Sequence, residues 1–139
     1  MINFSYQIPR VALDSRKALK EFIRLLCEKE NRTIDEINIV FCADEYLLQI
    51  NQQFLNHDTY TDIISFDYTE KKGPLNGEIY ISVDRVKENA LLLGSSFKQE
   101  IHRVIFHGIL HLCGYKDKLK ADKLLMREKE DFYLREYFG

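Results

Sequence analysis

Hydrophobic and polar positions alternate along this chain with two different periods, and the switches between them divide it into nine segments. Residues 3–8 (NFSYQI) alternate loosely and predict a first strand. Leu19, Phe22, Ile23 and Leu26 then recur at i, i+3, i+4 and i+7, which predicts a helix from about Asp14 to Glu30. EINIVFC (36–42) is rich in β-branched residues and reads as a strand buried on both faces. Asp44 has the chemistry of an N-cap, opening a second helix whose stripe is Leu47, Ile50 and Phe54. Leu55–Tyr60 reads as a polar turn and TDIISFDY (61–68) as a third strand. KKGPLNG (71–77) carries the residues of an exposed hairpin loop and leads into EIYISV (78–83), antiparallel to the strand before it.

Helical spacing returns from about Asp84 to Leu93 and stops at Gly94. Ser96 and Gln99 fit a capping box that starts a longer helix running to about Leu112. On that helix Glu100, Val104, His107 and His111 share one face. A last helix, about 119–137, places Leu125, Phe132 and Tyr133 inward. The sum is one α+β domain over residues 1–139, sandwich-like, with about four strands in a mixed sheet and about five helices.

Composition narrows the class. The chain has 139 residues, 45% hydrophobic and 30% charged, as in a water-soluble domain with its own core. No apolar run approaches the ~20 residues that cross a bilayer, and MINFSYQIPR lacks the basic start and apolar core of a signal peptide. Cys27, Cys42 and Cys113 share no C-x-x-C spacing, which suggests free thiols and a cytoplasmic setting. The net charge of −2 does not advertise a nucleic-acid binder. Between Gly114 and Lys129, however, Lys116, Lys118, Lys120, Lys123, Arg127 and Lys129 outnumber Asp117, Asp122 and Glu128. That basic shoulder reads either as a place for phosphates or as a solvated helix face.

The candidate chemistry lies in FHGILHLCGYKDK (106–118). His107 and His111 are one helical turn apart on one face. Gly114 allows the helix to end in a left-handed turn, and Asp117 follows where its carboxylate can fold back toward the imidazoles. Two histidines and one further N/O donor make the ligand set of a catalytic zinc site, which keeps a fourth position open. A bare H-x-x-x-H is more often a pair of surface histidines, but Ile105, Phe106, Ile109, Leu110 and Leu112 would bury this helix. Zinc suits the set; iron, nickel and manganese are also compatible. Cys113 lies roughly opposite His111 and reads as core. Peptidases of the H-E-x-x-H type carry a glutamate base where this chain has Gly108. Glu100 reads as a surface residue or as one orienting a ligand histidine.

HGILHLCGYKD resembles the signature H-G-x-L-H-L-x-G-Y-D-H of the YbeY family of bacterial endoribonucleases, also called rRNA maturation factors. TDIISF (61–66) is similar to that family's T-[DN]-V-L-S-F strand, Gly77-Glu78-Ile79 to its G-D-I, Leu55-Asn56 to its Leu-Asn, and Met126…Glu130 to its M-x-x-x-E. The resemblance runs from about residue 37 to 130. It implies a metal-bearing central helix, with His107, His111 and Asp117 as ligands of one divalent ion. It also implies a hydrolytic role on single-stranded RNA, in maturing small-subunit ribosomal RNA and in ribosome quality control. The expected partners are therefore ribosomal RNA and the small ribosomal subunit with its proteins. Two positions depart from the pattern: Asp117 stands where the family usually has histidine, and the loop His57-Asp58-Thr59-Tyr60 lacks the family's RNA-contacting arginine. His57 is a candidate catalytic substitute beside His107 and His111; its plainer reading is an exposed loop residue. A non-catalytic metal-binding assembly factor is the alternative function, with a metallopeptidase or amidase behind it.

Overall fold

In the computed structural model the described residues are 1–9, 11, 13, 15–55 and 61–139. Four strands form one sheet in the order β1 (Ile2–Tyr6), β2 (Ile34–Cys42), β4 (Leu75–Ser82), β3 (Ile63–Asp67). β1, β2 and β4 run parallel, and β3 closes the edge antiparallel to β4, with Ser65 opposite Ile79. Five helices accompany them: α1 (Arg16–Lys29), α2 (Asp44–Phe54), α3 (Val83–Leu93), α4 (Phe97–Leu112) and α5 (Lys120–Phe138). Element number, type and order agree with the periodicity of the chain, as does the antiparallel pairing of β3 with β4, but Leu75–Gly77, expected in the exposed loop, already form the start of β4, with Leu75 and Gly77 buried.

The pleat explains which helices go where. Ile37, Ile39 and Phe41 of β2 and Leu75, Ile79 and Ile81 of β4 point to one face, where they pack with α1, α4 and α5 in the main core. The other face carries a smaller cluster, Cys42 and Ile64 against Leu47 and Ile50 of α2. Further along β2 that second face is wetter: Glu36 is exposed and Asn38 only half-buried, bonded to Asn3 at 3.0 Å. Burial on both faces is therefore confined to the Val40–Cys42 end of the strand. No helix among the described residues is long and apolar enough to cross a membrane.

Four local expectations are corrected. Asp44 is not an N-cap but the first helical residue of α2. Its carboxylate accepts from Ser82 Oγ at 3.0 Å and from Arg85 Nη2 at 2.8 Å, joining α2 to the start of α3. Phe54 is not buried: it is 67% exposed, its ring only leaning edge-on against Phe66. On α5 the inward stripe is Met126, Glu130, Tyr133 and Leu134, and Leu125 and Phe132 fall one position to its side, at 44% and 40% exposure. The helix expected from Asp14 is capped by Ser15, whose Oγ accepts from Ala18 N at 3.1 Å. The expected Leu55–Tyr60 turn falls, from Asn56 on, outside the described residues.

Helix α4 is the centre of the packing. Ile105, Phe106, Ile109, Leu110 and Leu112 are at most 1% exposed. Gly108 lets the helix lie close to the sheet. A Cβ there would stand 3.0 Å from Ile63 Cδ1 and from both Cδ1 and Cγ2 of Ile79. That is tighter than such carbons ordinarily pack, so a larger side chain enters only if Ile63 and Ile79 give way. The position that would hold a peptidase's glutamate thus faces the side chains of Ile63 and Ile79.

Candidate active site

Two devices bring the sequence-predicted residues together. The first is the end of α4. Gly114, at φ +114°, donates to His111 O at 3.0 Å, and Tyr115 donates to Leu110 O at 3.1 Å. These are the two bonds of a Schellman cap, which reverses the chain while satisfying the last helical carbonyls. The second is an anchor for the reversed segment. Tyr115 Oη donates to Glu30 Oε1 at 2.6 Å, and Glu30 also accepts from Tyr133 Oη and, at 3.3 Å, from Lys129 Nζ. Two residues past Tyr115, Asp117 Oδ2 arrives 3.3 Å from His107 Nε2.

The opposite nitrogen of His107 is held as well. Its Nδ1 is 2.7 Å from Glu130 Oε2, and Glu130 Oε1 accepts from Arg103 Nη1 at 3.1 Å. Glu130 is 6% exposed. A charged, nearly dry carboxylate beside Nδ1 selects the Nδ1–H form of the ring and turns Nε2 toward Asp117. Burial disfavours the His107 cation, but Glu130, then Asp117 and Asp62, outweigh that and raise its pKa.

His107, Asp117 and Glu130 line a cleft of about 310 Å³ with Thr61, Asp62, Ile63, Glu100, Val104 and two arginines, Arg103 and Arg127. Thr61, Asp62 and Ile63, at the entry to β3, therefore form one wall. Asp62 Oδ2 accepts from Asn89 Nδ2 at 3.4 Å, and burial, more than any neighbour, pushes its carboxyl pKa up. Glu100 is 5% exposed, and burial raises its carboxyl too, with Asp62 adding to the effect. Among the described residues Glu100 makes no bond to a histidine; the residue that orients His107 is Glu130.

The donor set fits a divalent ion in part. Two ligands at about 2.1 Å from a tetrahedral zinc lie about 3.4 Å apart, close to the 3.3 Å between His107 Nε2 and Asp117 Oδ2. The Glu130–His107 pair is the outer carboxylate that ligand histidines ordinarily carry. His111 is half-buried and does not line the cleft, and among the described residues no three His, Cys, Asp or Glu side chains are grouped as a complete ligand set. His57 lies outside the described residues. Cys113 is half-buried and packs against the main core, as expected.

The family model for Endoribonuclease YbeY matches residues 3–138. The chain belongs to the endoribonuclease YbeY family. It is 53% identical over 119 residues to the Endoribonuclease YbeY of Cytophaga hutchinsonii, covering 86% of this chain and 83% of that one. It is 50% identical over 131 residues to that of Flavobacterium johnsoniae, covering 94% and 93%. The solution structure of TM1509 from Thermotoga maritima is similar with a TM-score of 0.68 and 30% identity, over 100% of this chain and 90% of that one. Within this YbeY chain, sequence reasoning missed Arg103 and the orienting role of Glu130. The available signal for Glu130 was a carboxylate on the inward stripe of a helix, next to Met126 and Tyr133, where an acid must have partners.

Proposed function

We propose that this chain is a metal-dependent endoribonuclease that cuts single-stranded RNA, acting in the cytoplasm on small-subunit ribosomal RNA and in ribosome quality control. The observation that carries the reading is His107 held between two carboxylates, Glu130 on Nδ1 at 2.7 Å and Asp117 facing Nε2 at 3.3 Å, in a polar cleft. His107, Asp117 and His111 are the residues that would hold one divalent ion. Zinc is the favoured ion, and iron, nickel and manganese suit the same donors. Such an ion, when bound, supplies a Lewis acid for a phosphoryl oxygen and acidifies water.

The chain's own residues do the rest. Glu130 keeps the proton of His107 on Nδ1, so that Nε2 offers its lone pair to the cleft. The Schellman turn and the Glu30 anchor deliver the carboxylate of Asp117. His111, one helical turn on from His107, would be the third residue to hold the ion. His57 is the remaining catalytic candidate, tested by substitution alone. Gly108 supplies no base of the H-E-x-x-H type, which counts against a peptidase of that class.

The test is a digest of ribosomal RNA with purified protein, with and without chelator, with His111→Ala, Asp117→Ala and His57→Ala beside it. Cleavage should stop with chelator, return with zinc, and fall together with metal content in the first two variants. Cleavage that survives both chelator and His111→Ala overturns the metal-dependent reading. A protein that holds metal, binds ribosomal RNA and never cuts it is an assembly factor instead.

A further inference from the structure

Four carboxylates line the cleft, Asp62, Glu100, Asp117 and Glu130, so an approaching phosphodiester is repelled unless a cation is free to meet it. Arg103 is not free. Its side chain is 15% exposed, with Nη1 on Glu130 at 3.1 Å and Nη2 on Asp131 at 2.8 Å. Arg127 is differently placed. Its side chain is 53% exposed, and its one ion pair among the described residues is a 3.5 Å contact to Glu130 Oε1, an oxygen that Arg103 already holds at the shorter distance. An exposed contact of that length contributes little to stability.

Position sets Arg127 apart further. It lines the main cleft and also an adjoining hollow of about 290 Å³, and His107, Asp117 and Glu130 border both. Lys123 lines the second hollow, four residues earlier on α5 and so on the same helix face, with no side-chain bond among the described residues. The two hollows and the two cations make a short track that passes the His107–Asp117 pair.

We propose that Arg127, with Lys123 one turn behind it, is the phosphodiester-binding subsite of this cleft. Arg127 releases Glu130 and turns its fork onto the phosphate of the RNA strand, while Arg103 stays to keep Glu130 in place. The assignment rests on the RNA-cutting reading above. A guanidinium suits the role because two parallel N–H donors match two phosphate oxygens. Lys123, a point charge farther along, holds the next phosphate less specifically.

The experiment is anisotropy titration of a short fluorescein-labelled 2′-O-methyl oligoribonucleotide, whose blocked hydroxyl cannot attack and whose intactness is checked on a gel, at several salt concentrations. Each phosphate contact on a single strand contributes about −0.7 to the slope of log K against log salt. Arg127→Ala should weaken binding about tenfold and make the slope shallower by about 0.7. Arg127→Lys should keep the slope and lose part of the affinity. Lys123→Ala should flatten the slope with a smaller loss of affinity. Thermal melts check that each variant is folded. Wild-type binding with an unchanged slope in Arg127→Ala overturns the subsite and leaves the RNA reading standing. A wild type that neither binds the oligonucleotide nor cuts RNA overturns both.

Discussion

Glu130 holds the Nδ1 of His107 at 2.7 Å from a helix twenty-three residues further along the chain, and Arg103 holds the other oxygen of the same carboxylate at 3.1 Å. The orientation of His107 is thus set by packing between α4 and α5 rather than by its own helix. Glu130→Gln keeps the size and an acceptor but removes the charge that fixes the ring's protonation. Metal affinity is expected to fall by about 10- to 100-fold, read by competition with a coloured chelator, while the melting temperature changes little. Unaltered affinity in this variant would mean that Glu130 merely pairs Arg103.

Gly108→Ala tests the close approach of α4 to the sheet. Alanine favours a helix by about 1 kcal/mol over glycine, but its methyl would meet Ile63 and Ile79 at 3.0 Å. Ile79 is fully buried, so its side chain has little space into which to turn. Overpacking of this kind costs about 1–3 kcal/mol, so a net loss of roughly 0–2 kcal/mol is expected by urea unfolding. A stabilised Gly108→Ala protein would show that the isoleucines give way.

The nine elements were legible because each has a long periodic stripe or clear punctuation, as at Gly94, Ser96 and the 71–77 loop. The pairing of His107 with Asp117 was legible for a local reason: spacing plus a helix-ending Gly114 confines the carboxylate to one side of α4. Errors came where a stripe could be read in two registers. On α5, Leu125 and Phe132 look as apolar as Met126 and Leu134, and only the docked helix shows which row faces in. The roles of Glu130, Arg103 and Arg127 were not legible, since each depends on the crossing of α4 and α5, distant in sequence. Glu100 shows the same limit from the other side: it shares a face with His107, yet the bonds of that ring go to Glu130 and Asp117.

Glu100 itself gives a prediction about pH. Burial raises its carboxyl pKa in the folded protein, so the fold binds this proton more tightly than the unfolded chain does. Stability linked to Glu100 is therefore full at acid pH and is lost as pH rises through the raised value. Glu100→Gln removes the ionisation and should be more stable than wild type at neutral pH, with the gain disappearing near pH 4, about the unfolded value. Parallel stability curves for the two proteins across that range would refute the assignment.

Glu30 should behave in the opposite sense. Burial alone would raise its pKa, but bonds from Tyr115, Tyr133 and Lys129 outweigh that and lower it in the fold. The folded state then binds this proton less tightly than the unfolded chain, so the contribution is full above about pH 4.3, the unfolded value. It is lost as pH falls through the lower folded value. Glu30→Ala strips partners from two tyrosines and a lysine at once, and removing one side of such a network costs about 2–4 kcal/mol at neutral pH. The deficit relative to wild type should shrink steadily as pH is lowered below 4, when the wild-type carboxyl is itself protonated. The same substitution frees the segment that carries Asp117, because Tyr115 loses its anchor two residues away. Metal affinity should therefore fall in Glu30→Ala even under conditions where the protein remains fully folded, measured by chelator competition beside a circular-dichroism melt. Full metal affinity in a folded Glu30→Ala protein would show that the Schellman turn alone is enough to place Asp117.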